Sequence, residues 1–187
     1  MAVTALLVVD VQRGILDLPN LARKQEIGHA LDQTVTRIAG MIQGARDATL
    51  PVIYIQHDGG HGHRLEPETS GWQIRSEISP RSGDLVIHKR ASDAFFETSL
   101  DAELRARAVR QLIVCGCMTQ FCIDTTIRRA VSLGYNVILA ADGHMTADTH
   151  ALRFEQIIAH HNALLDGFDA GEREVRVSPA SEIPSMV

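Results

Sequence analysis

Three side chains that can carry out chemistry follow three separate apolar segments of the sequence. Asp10 comes directly after the first segment, Lys89 follows the third, and Cys122 lies a few residues beyond the fourth. Taken singly, an aspartate in such a place commonly caps a turn, a lysine is solvated and a free cysteine packs in the core. In combination, a thiol, an ammonium and a carboxylate supply a sulfur nucleophile, a charge that stabilises it and a proton acceptor.

The sequence around Cys122 indicates that this thiol lies at the start of a helix, because Ile123 and Ile127 recur at helical spacing. Unpaired backbone N–H groups and the positive end of the helix dipole favour the thiolate, and Lys89 is expected to lower the pKa of the thiol further. Asp10 could accept the thiol proton and pass it to a leaving amine. The pattern therefore predicts nucleophilic catalysis by Cys122.

The other two cysteines, Cys115 and Cys117, are interpreted as core residues at the end of a strand. Strand alternation places both on one face, and the sequence offers no second pair that would complete a metal site. Three cysteines within eight residues also argue against the disulfide framework of a small secreted protein.

Short apolar runs alternate with longer helical patterns along the whole chain. This alternation predicts an α/β protein whose parallel sheet is covered by helices on both faces. The six predicted strands are Ala5–Val9, Val52–Ile55, Leu85–Ile87, Leu112–Val114, Val137–Ala140 and, more weakly, Val175–Val177. Apolar residues recur at helical spacing from Leu31 to Ala45 and again from Ile123 to Val131. Two further helices are predicted, one from Ser99 to about Val109 and one from Asp148 or Thr149 to about Leu165. Ligand sites in such sheets lie at the carboxyl ends of the strands, which is where Asp10, Lys89 and Cys122 are expected to meet.

The long irregular stretch from His57 to about Asp84 is rich in glycine, histidine, proline and serine, and it is interpreted as a functional loop or lid. Its His57–His63 part could hold a zinc ion, because imidazole and carboxylate are suitable ligands. Alternatively, it is a flexible loop that contacts substrate. Glycine-rich spacing leaves metal ligands poorly preorganised, so the predicted site contains no metal.

Aromatic residues near these strand ends are candidates for the walls of a substrate pocket. They are Trp72, Phe95, Phe96 and Phe121, of which all but Phe96 are assigned to substrate binding. Plain core packing would also suit them, but Phe121 adjoins Cys122. Gln12 is assigned to the same site, where it could orient Asp10 or hydrogen-bond a loop.

The length and composition limit the class of protein. A chain of 187 residues fits one domain over residues 1–187. The 18 Lys and Arg residues against 23 Asp and Glu give a formal charge of −5, whereas a nucleic-acid-binding protein needs a basic surface. No apolar run approaches the roughly 18 residues of a membrane span, and the first residues lack the basic region of a signal peptide. We therefore expect a cytoplasmic protein that acts on a small molecule and binds neither nucleic acid nor membrane.

Three spaced motifs resemble those of the isochorismatase-like cysteine hydrolases. The matching segments, in chain order, are Asp10–Gln12, Lys89 with Asp93–Thr98, and Leu112–Thr126 followed by Leu133–Val137. Within the longest segment, Gly116, Thr119 and Cys122 stand where the family has its glycine, its threonine and its cysteine. The resemblance spans about residues 6–165, nearly the whole predicted domain.

The resemblance implies roles for several residues. Cys122 becomes the nucleophile, Asp10 the proton shuttle and Lys89 the group that stabilises the thiolate. Charge that develops on the attacked carbonyl oxygen requires preorganised donors, and the Cys122 N–H is available at the helix start. In the family, the peptide bond that corresponds to Cys117–Met118 is cis, which makes the Met118 N–H the second donor of an oxyanion hole.

The resemblance also implies the architecture: a three-layer α/β/α fold with a six-stranded, mainly parallel, Rossmann-like sheet. Family members usually form homo-oligomers, so a dimer or tetramer is expected, and no cofactor is expected. Nicotinamidases of the family hold a metal after strand two through an Asp-x-His pair and a later histidine. Here Asp58 is followed two residues later by Gly60, with His61 and His63 out of step. This departure argues against nicotinamide as the substrate.

The sequence thus favours an amidohydrolase that cleaves a C–N bond, amide or ureide, in a small molecule through an acyl-thioester. The amide-cleaving branch of the family keeps the cysteine, whereas isochorismatase itself cleaves a vinyl ether without one. The alternatives are hydrolysis of another bond, a nucleotide-binding domain, and a non-catalytic or redox thiol protein that pairs Cys115 with Cys117. A nucleotide-binding domain is disfavoured because neither G-x-G-x-x-G after strand one nor G-K-[ST] occurs.

Overall fold

The apolar runs of the sequence form one sheet in the computed structural model, which describes residues 3–19 and 21–183. The strands are β1 (Val3–Val9), β2 (Val52–His57), β3 (Leu85–Lys89), β4 (Val109–Cys117), β5 (Asn136–Met145), β6 (Asp169–Ala170) and β7 (Arg173–Ser178). Their order across the sheet is β3-β2-β1-β4-β5-β7-β6, and every neighbouring pair from β3 to β7 is parallel. The α/β class is therefore confirmed.

The sheet contains one strand more than the six that the sequence predicts. The added strand, β6, is two residues long and pairs with β7 in an antiparallel hairpin. Gly171, with φ 69°, supplies the positive φ that such a tight connection requires. A two-residue strand has no hydrophobic period, so the sequence pattern cannot reveal it.

Helices cover both faces of the sheet. They are α1 (Lys24–Asp47), α2 (Leu100–Ala106), α3 (Asp124–Ser132) and α4 (Phe154–Leu165), with a 3₁₀ turn at Ser76–Ile78 and a π-helical turn at Thr119–Ile123. Leu6 and Val8 of β1 belong to the apolar cluster that includes the buried side of α1, whereas Leu7 and Val9 belong to the cluster that includes α2 and α3. This alternation along one strand produces the three expected layers.

Two predicted helix boundaries are wrong. Helix α2 ends at Ala106 rather than near Val109, because Val109 is already the first residue of β4. Helix α4 begins at Phe154, so neither Asp148 nor Thr149 is its N-cap residue; Asp148 Oδ1 instead accepts a hydrogen bond from the Phe154 N–H at 2.8 Å across the intervening turn. Throughout residues 3–19 and 21–183, no helix is both long and apolar enough to cross a bilayer.

Close approach of β1 and β4 near their carboxyl ends depends on Gly116. This residue pairs with Val9 and has φ 125°, in a region that side-chain-bearing residues rarely adopt. A Cβ atom at this position would lie 2.0 Å from the Val9 carbonyl oxygen. Only glycine therefore allows β4 to lead into the cysteine-containing turn at this distance from the end of β1.

We expect Gly116→Ala to lower the free energy of unfolding by about 2–5 kcal/mol, because it adds both backbone strain and a steric clash. The control is Gly40→Ala at an exposed position of α1, where an added Cβ meets nothing within 4 Å. This second change should stabilise the protein by about 0.5–1 kcal/mol through helix propensity. Urea denaturation of both variants measures the difference, and a wild-type midpoint for Gly116→Ala would contradict the prediction.

Candidate active site

The carboxyl ends of β1 and β3 and the turn after β4 bring the three predicted catalytic side chains together. Asp10 follows β1, Lys89 is the last residue of β3, and Cys122 lies in the π-helical turn between β4 and α3. Strands β2 and β3 lie on one side of β1, and β4 and the later strands lie on the other side. The strand order therefore reverses between β1 and β4, the position at which open α/β sheets form their ligand sites.

Lys89 contacts both of the other predicted catalytic side chains. Its side chain is fully buried, and its Nζ lies 2.6 Å from Asp10 Oδ2 and 3.3 Å from Cys122 Sγ. Nζ also donates to the Ala91 carbonyl oxygen at 2.9 Å and lies 3.4 Å from His57 Nδ1. Burial by itself lowers the pKa of Lys89, but the Asp10 charge and the Cys122 sulfur outweigh it and raise that pKa. The lysine is therefore a permanent cation at neutral pH.

The net pKa shift of the Cys122 thiol is opposite to the lowering that the sequence pattern favoured. Lys89 lowers the pKa of the thiol, as expected. Burial and the negative charge of Asp10 act more strongly in the opposite direction and raise it to about 12. A thiol with a raised pKa would act as a nucleophile only if a neighbouring base took up its proton.

Asp10 has the position of such a base. The residue is completely buried, and its backbone adopts φ 51°, which turns the chain sharply after β1. Apart from Lys89 and the thiol, neither carboxylate oxygen has a hydrogen-bond partner in residues 3–19 and 21–183. The carboxylate is thus free to take up a proton from the sulfur.

Cys115 and Cys117 are core residues, as predicted. Both are fully buried in the same apolar cluster, and burial raises the pKa of each thiol. Neither thiol is accessible to solvent, in contrast to the partly exposed Cys122.

The peptide bond between Cys117 and Met118 is cis, as the family resemblance implies. The Met118 carbonyl oxygen accepts hydrogen bonds from the N–H groups of Phe121 at 3.1 Å and Ile123 at 3.2 Å. These bonds close the π-helical turn around Cys122.

Gln12 binds protein backbone rather than an open pocket. Its Nε2 donates to the carbonyl oxygens of His57 at 3.0 Å and Trp72 at 2.8 Å, and its Oε1 accepts from the His57 N–H at 3.0 Å. Nearby, the Arg13 N–H donates to Gln73 and the Gly14 N–H to Gly71. Of the two roles considered for this glutamine, hydrogen bonding to a loop is the one observed, and residues 71–75 are thereby held against residues 11–14.

The aromatic candidates separate into two groups. Phe95 is buried and stacks against Tyr135 at 6.0 Å in the core, so its assignment to the pocket is wrong. Its neighbour Phe96 is 55% exposed and lines a cleft, and Phe121 is 50% exposed beside Cys122.

Trp72 stacks on the His88 ring at 5.7 Å, and His88 lines the same cleft as Phe96. The cleft has a volume of about 500 Å³ and is lined by Asp58, His88, Lys89, Arg90, Ala91, Phe96 and Glu97.

His57 is a member of the site that the sequence identified only as part of a possible metal loop. Its Nδ1 lies 3.4 Å from Lys89 Nζ, and burial together with the Lys89 charge lowers the pKa of the imidazole. A neutral His57 can therefore accept a hydrogen bond from the ammonium. The strand-end rule that selected Asp10 and Lys89 would also have selected this last residue of β2.

The segment after β2 is the one that the sequence analysis considered as a possible zinc site. Asp58 Oδ1 contacts Trp72 Nε1 at 2.7 Å and His88 Nδ1 at 3.0 Å, while His61 Nδ1 contacts Glu66 at 2.9 Å. Across the residues that the structure describes, no three His, Cys, Asp or Glu side chains are grouped as metal ligands.

Comparison with known proteins identifies relatives of this fold and site. A streptothricin hydrolase of Streptomyces noursei is 36% identical over 149 residues, with coverage of 80% of this chain and 52% of that protein. A ureidoacrylate amidohydrolase of Caulobacter segnis is 30% identical, with coverage of 71% of this chain and 68% of that protein. The crystal structure of an isochorismatase from Pseudomonas putida has a TM-score of 0.82 and 28% identity, with coverage of 96% of this chain and 89% of that chain.

The matched region thus spans about half the length of the streptothricin hydrolase. The family model for the isochorismatase domain matches residues 4–166. This match covers most of the sequence and all three strand ends of the site, and the chain therefore belongs to the isochorismatase family.

Proposed function

We propose that the protein is a cysteine amidohydrolase, with residues 1–187 as a single hydrolase domain that cleaves a C–N bond in a small amide or ureide. The observation that carries this proposal is the buried Lys89 ammonium, which contacts the Asp10 carboxylate at 2.6 Å and the Cys122 sulfur at 3.3 Å. The relatives named streptothricin hydrolase and ureidoacrylate amidohydrolase support a hydrolytic reaction of this class.

The first half of the proposed reaction forms an acyl-thioester. The Cys122 thiol transfers its proton to the Asp10 carboxylate as the sulfur attacks the carbonyl carbon of the substrate. Lys89 stabilises negative charge on the sulfur as it develops, which offsets the burial that disfavours a thiolate. When the C–N bond breaks, Asp10 gives the proton to the nitrogen, and ammonia or an amine leaves.

The second half releases the acid. Water loses a proton to Asp10 as its oxygen attacks the thioester carbonyl, and the C–S bond then breaks. The departing Cys122 sulfur takes the proton back from Asp10, which restores the resting thiol and carboxylate. Every proton moves among substrate, water and these two side chains, so the scheme uses no cofactor.

In this proposal, the backbone N–H groups of Met118 and Cys122 form the oxyanion hole. Each tetrahedral intermediate carries negative charge on the former carbonyl oxygen, and fixed N–H donors stabilise that charge more than the neutral carbonyl. Both groups belong to the segment that positions the sulfur, so the donors and the nucleophile share one rigid element.

Replacement of Cys122 tests the covalent step. We expect Cys122→Ala to reduce amide turnover to background, because no other accessible thiol is present among the described residues. Cys115→Ala is the matched control and should retain turnover. Wild-type protein quenched during turnover should show an acyl adduct on Cys122 by mass spectrometry. Turnover at the wild-type rate by Cys122→Ala would disprove the thioester route.

Replacement of Asp10 tests the proton transfer. We expect Asp10→Asn to slow acylation by roughly 10²–10⁴-fold, because it removes the acceptor of the thiol proton. The same change removes a negative charge that raises the pKa of Cys122, so the pH profile of Cys122 alkylation should move to lower pH.

The control for Asp10→Asn is Asp17→Asn, which removes an exposed carboxylate paired with Lys24. Circular dichroism checks that each variant is folded, since Asp10→Asn leaves the buried Lys89 without its counterion. An alkylation profile that moves to higher pH, or acylation at the wild-type rate, would exclude Asp10 as the base.

A further inference from the structure

A buried histidine beside the cysteine-containing turn takes no part in the proposed proton transfers. His144 lies in β5 and is 1% exposed. Its Nδ1 lies 2.9 Å from the hydroxyl oxygen of Thr119, the first residue of the π-helical turn that carries Cys122. On the other side of the ring, His144 Nε2 lies 2.8 Å from Asn162 Oδ1 in α4. The histidine therefore links the turn that holds the nucleophile to a helix that covers the sheet.

The hydrogen bonds of Asn162 determine which nitrogen of the His144 ring carries the proton. Asn162 Nδ2 donates to the Ala141 carbonyl oxygen at 2.9 Å, so Oδ1 is the amide atom that faces the ring. An amide oxygen only accepts, and His144 Nε2 therefore holds the proton while Nδ1 holds the lone pair. Burial lowers the pKa of His144 to about 4, which keeps the ring neutral at neutral pH. The Thr119 hydroxyl is consequently the donor to Nδ1.

An irregular register between β4 and β5 places His144 beside this turn. In the regular part of the pairing, Val114 lies opposite Leu139. Gly116, two residues later, pairs with His144, which comes five residues after Leu139. Bulges of this kind re-aim side chains next to functional sites. Gly143 lies in the bulged part of β5, where a Cβ atom would be 2.6 Å from the nearest side chain, so its missing side chain permits the bulge.

A second side chain of β5 holds the next residue of the turn. Thr146 is fully buried, and its hydroxyl donates to Gln120 Oε1 at 2.7 Å. Thr119 and Gln120 are the first two residues of the turn, and Cys122 follows two residues later. The two hydrogen bonds to β5 therefore restrain the start of the segment that positions the sulfur and, in the proposed mechanism, the N–H donors of the oxyanion hole.

We propose that His144 is a positioning residue for attack by Cys122 on a carbonyl carbon, and that it acts through the hydrogen bond from Thr119. This role rests on the proposed function in requiring Cys122 as the nucleophile. Attack needs the sulfur and the donors for the carbonyl oxygen in one fixed arrangement, and a displacement of about 1 Å can slow a reaction by about 10²-fold. An imidazole that accepts from the turn and donates to α4 supplies this restraint.

Two reagents that modify Cys122 by different routes test the role without an amide substrate. With p-nitrophenyl acetate the sulfur attacks a carbonyl carbon: the thiol proton passes to Asp10, the C–O bond breaks, p-nitrophenolate leaves and an acetyl thioester remains. With iodoacetamide the sulfur displaces iodide as its proton leaves to the same base, and no charge develops on a carbonyl oxygen. Mass spectrometry of the quenched protein measures both rates, and Cys122→Ala gives the background.

The main variant keeps the shape of the side chain and removes only its hydroxyl group. Thr119→Val should slow acylation by about 10- to 100-fold and alkylation by only a few-fold, because only acylation needs the sulfur aligned with the oxyanion donors. Thr119→Ser keeps the hydroxyl and should restore most of the acylation rate. The control is Thr34→Val in α1, where a buried hydroxyl bonds to the Ala30 carbonyl of its own helix, and it should change neither rate.

A double variant isolates the hydrogen bond itself. His144→Leu should match Thr119→Val, and the combined variant should be no slower than either, because both changes remove the same bond. Circular dichroism checks that each variant is folded. If His144→Leu does not fold, the two variants of Thr119 still decide the question. A merely structural hydroxyl would lower the unfolding midpoint and leave both reactions of the folded protein unchanged.

Three results would overturn the positioning role. They are a wild-type protein that is not acylated on Cys122, a Thr119→Val variant that slows both reactions equally or neither, and a Thr119→Ser variant that acylates as slowly as Thr119→Val. If the expected differences are found but no amide is hydrolysed, the positioning role stands and the proposed amidohydrolase function fails.

Discussion

One fully buried ammonium group holds the centre of this protein together. Lys89 would be expensive to bury alone, because a desolvated cation loses several kcal/mol of hydration. The Asp10 carboxylate, the Ala91 carbonyl, the His57 ring and the Cys122 sulfur surround it and restore that loss. These partners come from four different segments, so the geometry of the ion fixes the relative positions of β1, β2, β3 and the turn after β4.

The rest of the fold brings the members of this cluster to one edge of the sheet. Parallel strands bring their carboxyl ends to a common edge, and the order of the sheet places β1 between the strand that leads to β3 and the strand that leads to the thiol. Gly116 allows the last step, because its missing side chain lets β4 pass the Val9 carbonyl. The missing side chain of Gly116 and the ion pair of Lys89 with Asp10 thus both position groups in the same small region.

The sequence predicted those parts of the site that follow from periodicity. The parallel sheet and the meeting of Asp10, Lys89 and Cys122 follow from which runs are strands and where each run ends. The choice of Phe95 over Phe96 failed because adjacent residues in an irregular turn have no period to separate the buried ring from the exposed one. The raised pKa of Cys122 could not be predicted for a different reason. It depends on burial and on the distance to Asp10, and no sequence pattern contains either quantity.

The hydrogen bonds of Gln12 attach part of the long loop to the end of β1, so that part does not behave as a lid. A lid opens and closes, but residues 71–75 are attached to residues 11–14 by backbone pairing and by a buried amide that also holds the end of β2. Opening this segment would expose the Gln12 amide and break its hydrogen bond to Trp72, close to Asp10. Residues 71–75 are therefore a fixed part of the structure rather than part of a lid. The exposed residues 60–62, 68–70 and 81–83 of the loop lie outside these attachments, so sequence change there would leave the buried hydrogen bonds of Gln12 in place.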